Sequence, residues 1–376
     1  MASNRCRNNG RNNVIDPFDA CAKISLMKIA VLVSGGVDSS VALRLLRDAG
    51  GHDLTAFYLK IWLEDELAAL GECPWEEDLH YVRAVCDAAA VPLQVIALQT
   101  EYRERVVEAA IRELRAGRTP SPDIQCNARI KYGAFLDRIG PGFDKVATGH
   151  YAQVEARGSG FVLRSAPDPV KDQTYFLSHL RQAQLARALF PIGHLHKREV
   201  RALAGQLGLP NRDRPDSQGI CFLGRIKFPE FVRYHLGERP GDIKDLDSGR
   251  TLGRHAGYWF YTIGQRQGLR LGGGPWYVVD RDTERNIVWV AHAQTYRQRA
   301  RDMFDLDEVH WIAGPPEHAN LHVRIRHGPA RIACQVTPLP SSAWQIRMAT
   351  ADPGVAPGQC AVLYDGDVCL GGGTIA

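Results

Sequence analysis

The stretch "AVLVSGGVDSS" at residues 30–40 decides how the rest of the chain is read. An apolar strand runs into a glycine turn, and the turn opens a helix, the arrangement in which backbone N–H groups hold an anion. Gly35 and Gly36 let the backbone approach a phosphate, and Ser34, Ser39 and Ser40 add hydroxyl donors. No lysine stands where a P-loop ATPase needs one. Asp38 is out of place in an anion site unless it holds a Mg²⁺ that bridges to phosphate. Such a loop suits gripping the pyrophosphate part of ATP while the α-phosphate is attacked. On these residues alone, a glycine-rich turn capped by Asp and Ser is an equal alternative.

Outward from that loop, strand and helix patterns alternate. Residues 28–33 read as a buried strand, 39–48 as a helix stopped at Gly50–Gly51, and 54–62 as a second strand. A helix near 76–90, a third strand at 92–99, a helix over 101–117 and a fourth strand at 145–151 follow. This alternation predicts a doubly wound parallel sheet with helices on both faces. Ligands of such sheets bind beyond the carboxyl ends of the strands, so the loops after residues 33, 60 and 148 should lie together. After about residue 225 short strands and glycines take over, and the last 80 or so residues alternate at period two. The expected organisation is an extension over 1–26, an α/β domain over 27–225, a small central β-rich domain over 226–294 and a C-terminal β-barrel-like domain over 295–376.

The chain has 376 residues, enough for two or three domains. Its 23% of charged residues and net charge of +4 permit a nucleic-acid partner without demanding one. Arginine outnumbers lysine 37 to 9, a ratio that fits a GC-rich genome better than a function. No run of 18 or more apolar residues predicts a membrane span. Residues 1–26 are rich in Asn and Arg and lack an apolar signal core, so a cytoplasmic location is expected, with a plastid or mitochondrion as the alternative.

Nine cysteines, with no Cys-x-x-Cys pair, indicate mostly free thiols in a reducing compartment. In "AGRTPSPDIQCNARIKYGAF" (116–135), Asp123 precedes Cys126 by three residues at the opening of a helix. There a cysteine can gain nucleophilicity, and the Asp can move a proton. Cys221, in "DRPDSQGICFLGRIKFPEFV" (213–232), follows a polar turn. Either cysteine alone reads more readily as incidental or buried; two of them in polar loops would suggest sulfur chemistry if the glycine loop belongs to an ATP-activating chain. His194 and His196 have no partners at zinc-site spacing and should flank a helix, so no protein-held metal is expected. Cys360 and Cys369 sit in apolar strands where burial is the expectation.

"SGGVDSS" resembles the signature of the PP-loop (N-type) ATP pyrophosphatases, which adenylate a substrate and release pyrophosphate; such a loop does without the P-loop lysine. Together with "GRTPSPDIQCN", "ATGHYA", "KDQTYFLS", "DSQGICFLG", "YTIGQRQGL", "PWYVVDRD" and "PGQCAVLYDGDVCLGGG", it resembles the tRNA-specific 2-thiouridylases over nearly everything from Met27 onward. The resemblance implies ATP, with Mg²⁺ accompanying the nucleotide, and a tRNA bearing a wobble uridine. It also implies a cysteine desulfurase or sulfur-relay protein as sulfur donor and a thiol reductant; a monomer is the expected state. Leu32, Val33, Ser34, Gly35, Gly36, Val37, Asp38 and Ser39, with Leu59 and Gly149, match ATP-contacting positions. Cys126 matches the nucleophile, Cys221 the persulfide carrier, and Asp123 a candidate acid or base. Ser121, Pro122, Asp123, His150, Lys171, Asp172, Gln173, Arg326, His327 and Gln359 match positions that touch tRNA. Two positions depart from the family pattern: Ser121 replaces the usual Asn, and Leu59 the usual Met. The implied chemistry leaves sulfur transfer open between direct persulfide attack and hydrosulfide released by Cys126.

Overall fold

The structure is a computed structural model that describes residues 26–61, 74–216 and 228–376. Its first sheet is built from β1 (Met27–Leu32), β2 (His52–Lys60), β3 (Leu93–Ala97) and β4 (Lys145–Ala147). Between them run α1 (Val37–Ala49), α2 (Pro74–Ala89) and two long helical stretches, α3 over 99–115 and α4 over 122–139. Ile29 and Val31 face one apolar cluster with Leu43, Leu46, Val82 and Val85 of α1 and α2. Ala30 and Leu32 face the other, with Tyr102, Ile111, Ile130 and Phe135 of α3 and α4. A strand covered on both sides needs no polar face, and this explains its uninterrupted apolar run.

β4 is shorter than the sequence suggests: the strand expected over 145–151 stops at Ala147. The residues after it leave the sheet to meet the start of α1. Beyond β4 come an antiparallel hairpin, β5 (Ala152–Arg157) with β6 (Gly160–Ser165), and a two-residue strand, β7 (Ala188–Leu189). The parallel sheet then has the order β3-β2-β1-β4-β7.

Helices α5 (Lys197–Gln206) and α6 (Phe228–Leu236) lead into a second sheet. It is formed by β8 (Gly241–Asp245), β9 (Thr251–His255), β10 (Trp276–Asp282) and β11 (Ile287–His292) in the order β10-β11-β8-β9. The C-terminal part contains β12 (Arg301–Trp311), β13 (Asn320–Arg324), β14 (Ile332–Pro338), β15 (Trp344–Asp352), β16 (Cys360–Asp365) and β17 (Val368–Ile375). These pair in the order β12-β15-β14-β13-β16-β17, and β17 returns to β12, closing an antiparallel barrel without free edges. The β5–β6 hairpin joins this sheet through β17, with Leu163 opposite Cys369. The barrel is thereby hydrogen-bonded to the α/β part.

Candidate functional site

The loop after β1 is held from inside and outside. Ser34 N–H donates to Ser39 Oγ at 3.2 Å, and the Ser39 and Ser40 hydroxyls donate to Gly36 O at 3.1 and 2.9 Å. Gly35 has φ +78°, a conformation that disfavours side-chain-bearing residues, and a Cβ there would meet Asp78 O at 2.8 Å. The buried Asn211 amide donates to Gly35 O at 2.8 Å and Ser40 Oγ at 2.9 Å, and Arg214 Nη1 donates to Gly35 O at 3.0 Å while pairing with Asp78. Opposite the loop, Gly149 lies so close to α1 that a Cβ would be 2.6 Å from Ser39 N. Any side chain at Gly149 would push the start of α1 away from β4.

These elements surround a cavity of about 310 Å³. Leu32, Val33, Ser34, Gly36, Val37, Asp38, Ser39, Leu59 and Gly149 line it, and Gly35 belongs to the same loop. Cys126, His150, Lys171 and Gln173 line it as well. The loops after residues 33, 60 and 148 therefore meet, and one cysteine meets them. Cys126 is 2% exposed overall, yet its remaining surface opens to this cavity. It begins the wide-turned π-helical part of α4, Cys126–Ala134, the kind of irregular turn that recurs at functional sites.

At one end of the cavity the charges form a network that sequence reading did not find. Lys197 Nζ, at the start of α5, bonds both oxygens of Asp38 at 2.8 and 2.9 Å. The Tyr151 hydroxyl donates to Asp38 Oδ1 at 2.8 Å; burial first, then Asp38, pushes its pKa up, so it remains a donor. Lys197 also meets Asp216 at 2.8 Å, and Asp216 accepts from Lys171 at 2.7 Å and from Arg201. Burial alone would raise the Asp216 carboxyl, but hydrogen bonds from Lys171 and Lys197 outweigh it and hold it well below the usual carboxylate range. In the anion loop Asp38 would make sense as a holder of Mg²⁺; in this arrangement Lys197 bonds both its oxygens and Tyr151 donates to one of them. Among the described residues no group of three His, Cys, Asp or Glu side chains could hold a metal ion. His196 stands just ahead of α5, its amide donating to Glu199 at 2.6 Å.

Ser121, Pro122 and Asp123 start α4, with Pro122 in the first turn, where its fixed φ and missing N–H suit a helix. The segment before them is gripped by both other domains. Tyr258 donates to Arg115 O, Arg281 Nη2 donates to Thr119 Oγ1 at 3.3 Å, and Thr119 N–H donates to Pro357 O at 2.8 Å. The Ser121 hydroxyl accepts from Cys360 N–H at 3.2 Å, so in this arrangement it serves the barrel. Asp123 does not line the cavity but lies near enough to His327 to influence its charge.

The other positions expected to touch tRNA fall into three settings. His150, Lys171 and Gln173 are at the cavity, where Gln173 Oε1 accepts from Tyr151 N–H at 3.0 Å. Arg326, His327 and Gln359 belong to the barrel. Arg326 pairs with Asp352 at 2.6 Å; His327 stacks on Phe176 at 4.6 Å, and burial, the largest of several effects, lowers its pKa. Gln359 is fixed through its backbone, accepting from Ile375 N–H at 2.8 Å. Asp172 stands apart: it is 1% exposed and bonds Arg324 at 2.7 Å and Thr174 Oγ1 at 3.0 Å. Its carboxylate is closed off from any ligand in this arrangement. Cys221 and Cys73 lie outside the described residues. Cys360 and Cys369 are buried, with thiol pKa values pushed up by burial to about 11 and about 12.

A parallel sheet whose first strand ends in a lysine-free Ser-Gly-Gly loop defines an α/β domain of the nucleotide-binding HUP class. Residues 27–225 match the family model described as tRNA methyl transferase HUP domain. Residues 229–292 match its PRC-barrel domain, and 301–375 an aminomethyltransferase beta-barrel domain. The tRNA-specific 2-thiouridylase MnmA of Parabacteroides distasonis is 41% identical over 356 residues, covering 93% of this chain and 99% of the relative. MnmA 1 of Bacteroides thetaiotaomicron is 42% identical with the same coverage, and MnmA of Nitrosomonas europaea is 42% identical over 93% of this chain and 98% of the relative. The chain belongs to the tRNA-specific 2-thiouridylase family.

Proposed function

We propose that this protein thiolates the wobble uridine of tRNA at position 2, using ATP to activate the base and a cysteine persulfide to supply sulfur. One observation carries the reading: the phosphate-type loop over Ser34–Ser39 and Cys126 line the same cavity. A nucleotide held by the loop would have its α-phosphate within the space that the thiol also reaches. A uracil oxygen is a poor leaving group and AMP a good one, so activation must come before substitution.

In the proposed sequence, the loop amides and hydroxyls hold the β- and γ-phosphates while the uridine 2-oxygen attacks the α-phosphate and pyrophosphate leaves. The terminal sulfur of a Cys221 persulfide then attacks C2, and AMP departs with the former carbonyl oxygen. Cys126 thiolate attacks the Cys221 sulfur, leaving 2-thiouridine and a Cys126–Cys221 disulfide that an external thiol must reduce. In the alternative order, Cys126 attacks the persulfide first and the released hydrosulfide attacks C2. Lys197 and Lys171 supply positive charge near the loop, the part a P-loop lysine plays elsewhere. Mg²⁺ would arrive with the nucleotide, because Asp38 is already paired with Lys197.

The family model's description names methyl transfer. A pyrophosphate-type loop sharing a cavity with a cysteine supports thiolation instead, since methyl transfer needs neither. Roles for Ser121, Pro122, Asp123, His150, Lys171, Gln173, Arg326, His327 and Gln359 in binding tRNA are part of this proposal. Asp172 is better suited to hold the barrel in place. The absence of any helix long and apolar enough to cross a membrane among the described residues is compatible with this chemistry.

The test is nucleoside mass spectrometry after incubating unmodified tRNA with the protein, Mg-ATP and either free sulfide or a desulfurase with cysteine. The expected result is 2-thiouridine that requires ATP and is lost in Cys126→Ser. Cys221→Ser should fail with the desulfurase supply. ATP consumption without thiouridine under either supply would sink the substrate assignment.

A further inference from the structure

Beside the loop, three buried side chains form a polar line that ends at the cavity. Tyr132, on the same helical stretch as Cys126, places its hydroxyl 3.1 Å from Thr148 Oγ1. Thr148 Oγ1 lies 2.7 Å from His150 Nδ1. The three residues are 1%, 3% and 9% exposed. Phe190 makes T-shaped ring contacts with both Tyr132 and His150, at 6.3 and 5.9 Å between centroids, which restrains the two rings.

Proton counting orients this line. If His150 carried its proton on Nδ1, it would donate to Thr148, which would then either donate to Tyr132 or accept from it as well. Either way one hydroxyl hydrogen, that of Tyr132 or that of Thr148, would be buried with no acceptor in the line. A buried unmatched donor is costly, so this direction is disfavoured. In the other direction Tyr132 donates to Thr148, Thr148 donates to Nδ1, and every hydrogen in the line has an acceptor. The proton of a neutral His150 must then sit on Nε2. His150 lines the cavity that holds Cys126 and the loop. Burial first, then the nearby Lys131, lowers the imidazole pKa well below its usual value, which keeps the ring neutral.

We propose that Tyr132 and Thr148 are positioning residues that lock His150 as an Nε2–H donor, aimed at a substrate oxygen in the cavity. This rests on the proposed reaction and adds to it. The acceptor is an oxygen that gains negative charge: the uridine 2-oxygen or a non-bridging α-phosphate oxygen. A neutral, pre-oriented donor can follow such charge without reorganising.

The test uses the full-length protein labelled with ¹⁵N in its histidine rings, with His150→Asn to assign the signal. Wild type should show His150 Nδ1 as unprotonated and Nε2 as protonated at neutral pH. The reverse tautomer, or a protonated ring, overturns the proposal. Thr148→Val should abolish the single tautomer and lower kcat of thiolation roughly tenfold, while Thr148→Ser restores both. Tyr132→Phe should broaden or mix the tautomers with a loss of only a few-fold. If ATP affinity without tRNA falls in Thr148→Val, the acceptor is the phosphate; if only tRNA-dependent turnover falls, it is the base. Unchanged turnover in a folded Thr148→Val protein with mixed tautomers would refute the role in catalysis. Failure of the wild type to make 2-thiouridine would strike the underlying function and leave the tautomer result standing.

Discussion

Asp38 and Asp172 look alike in the sequence: each lies in a polar motif and each was expected beside a ligand. The fold uses them in opposite ways. Asp38 lines the cavity at the start of α1, with Lys197 on both its oxygens. Asp172 is sealed against Arg324, which is 2% exposed, and joins the α/β part to β13 of the barrel. The difference lies in what each carboxylate faces. A half-open ion pair at a cavity can exchange partners when a substrate arrives, whereas a fully buried pair cannot let go without stranding a charge.

The largest expected effect is at the sealed pair. Asp172→Ala should cost about 3–5 kcal/mol of stability by leaving Arg324 buried without its partner, measured by urea denaturation. Pairing it with Arg324→Met should recover much of that loss. An Asp172→Ala protein of wild-type stability that fails only in tRNA binding would erase the contrast with Asp38.

The open pair should behave in the reverse manner. Lys197→Met should leave the fold intact and lower kcat/KM for ATP by about 10- to 100-fold, or roughly 1.4–2.7 kcal/mol in the barrier. Pyrophosphate release reports this directly. ATP kinetics equal to wild type would mean that Lys197 only braces α5.

How much of this was visible beforehand depended on range along the chain. The Ser34–Ser39 loop is a local object, and glycine, serine and the preceding apolar strand announce it within a dozen or so residues. The alternation of strands and helices is likewise local, and the parallel sheet followed from it. β7 escaped because two residues have no period, and the β5–β6 hairpin escaped because its outer partner, β17, lies some 200 residues away. Lys197, Asn211 and Arg214 reach the loop from far along the chain, and no nearby residue signals that they will. Tyr132 and Thr148 stand only 16 positions apart, with Thr148 two before His150, but the sequence does not show that both hydroxyls turn inward into one buried line. The burial of Asp172 depends on an arginine that the barrel delivers from 152 positions away.

A smaller effect is expected at Asp216, the acid shared by Lys171, Lys197 and Arg201. Its folded pKa is depressed, so its contribution is present above the unfolded value near 4 and lost as pH falls through the folded value. The stability gap between wild type and Asp216→Asn should be flat from about pH 5 to 8 and narrow below about pH 4. Denaturation curves across that range check this; a gap that opens only in acid would reverse the sign. The smallest change is expected in Ser121→Ala, which removes the acceptor of Cys360 N–H and should cost about 1 kcal/mol. A large loss of thiolation with unchanged stability would show that the hydroxyl leaves the Cys360 N–H for the base when tRNA binds.

The central claim is that one cavity joins base activation to sulfur transfer, and an isotope can follow the oxygen that must leave. A tRNA carrying ¹⁸O at the 2-position of the wobble uridine would be thiolated in a single turnover, and the AMP analysed by mass spectrometry. The account requires one ¹⁸O in the AMP phosphate for each 2-thiouridine formed. Thiouridine accompanied by unlabelled AMP would contradict it, because the base oxygen would then have left without being adenylated.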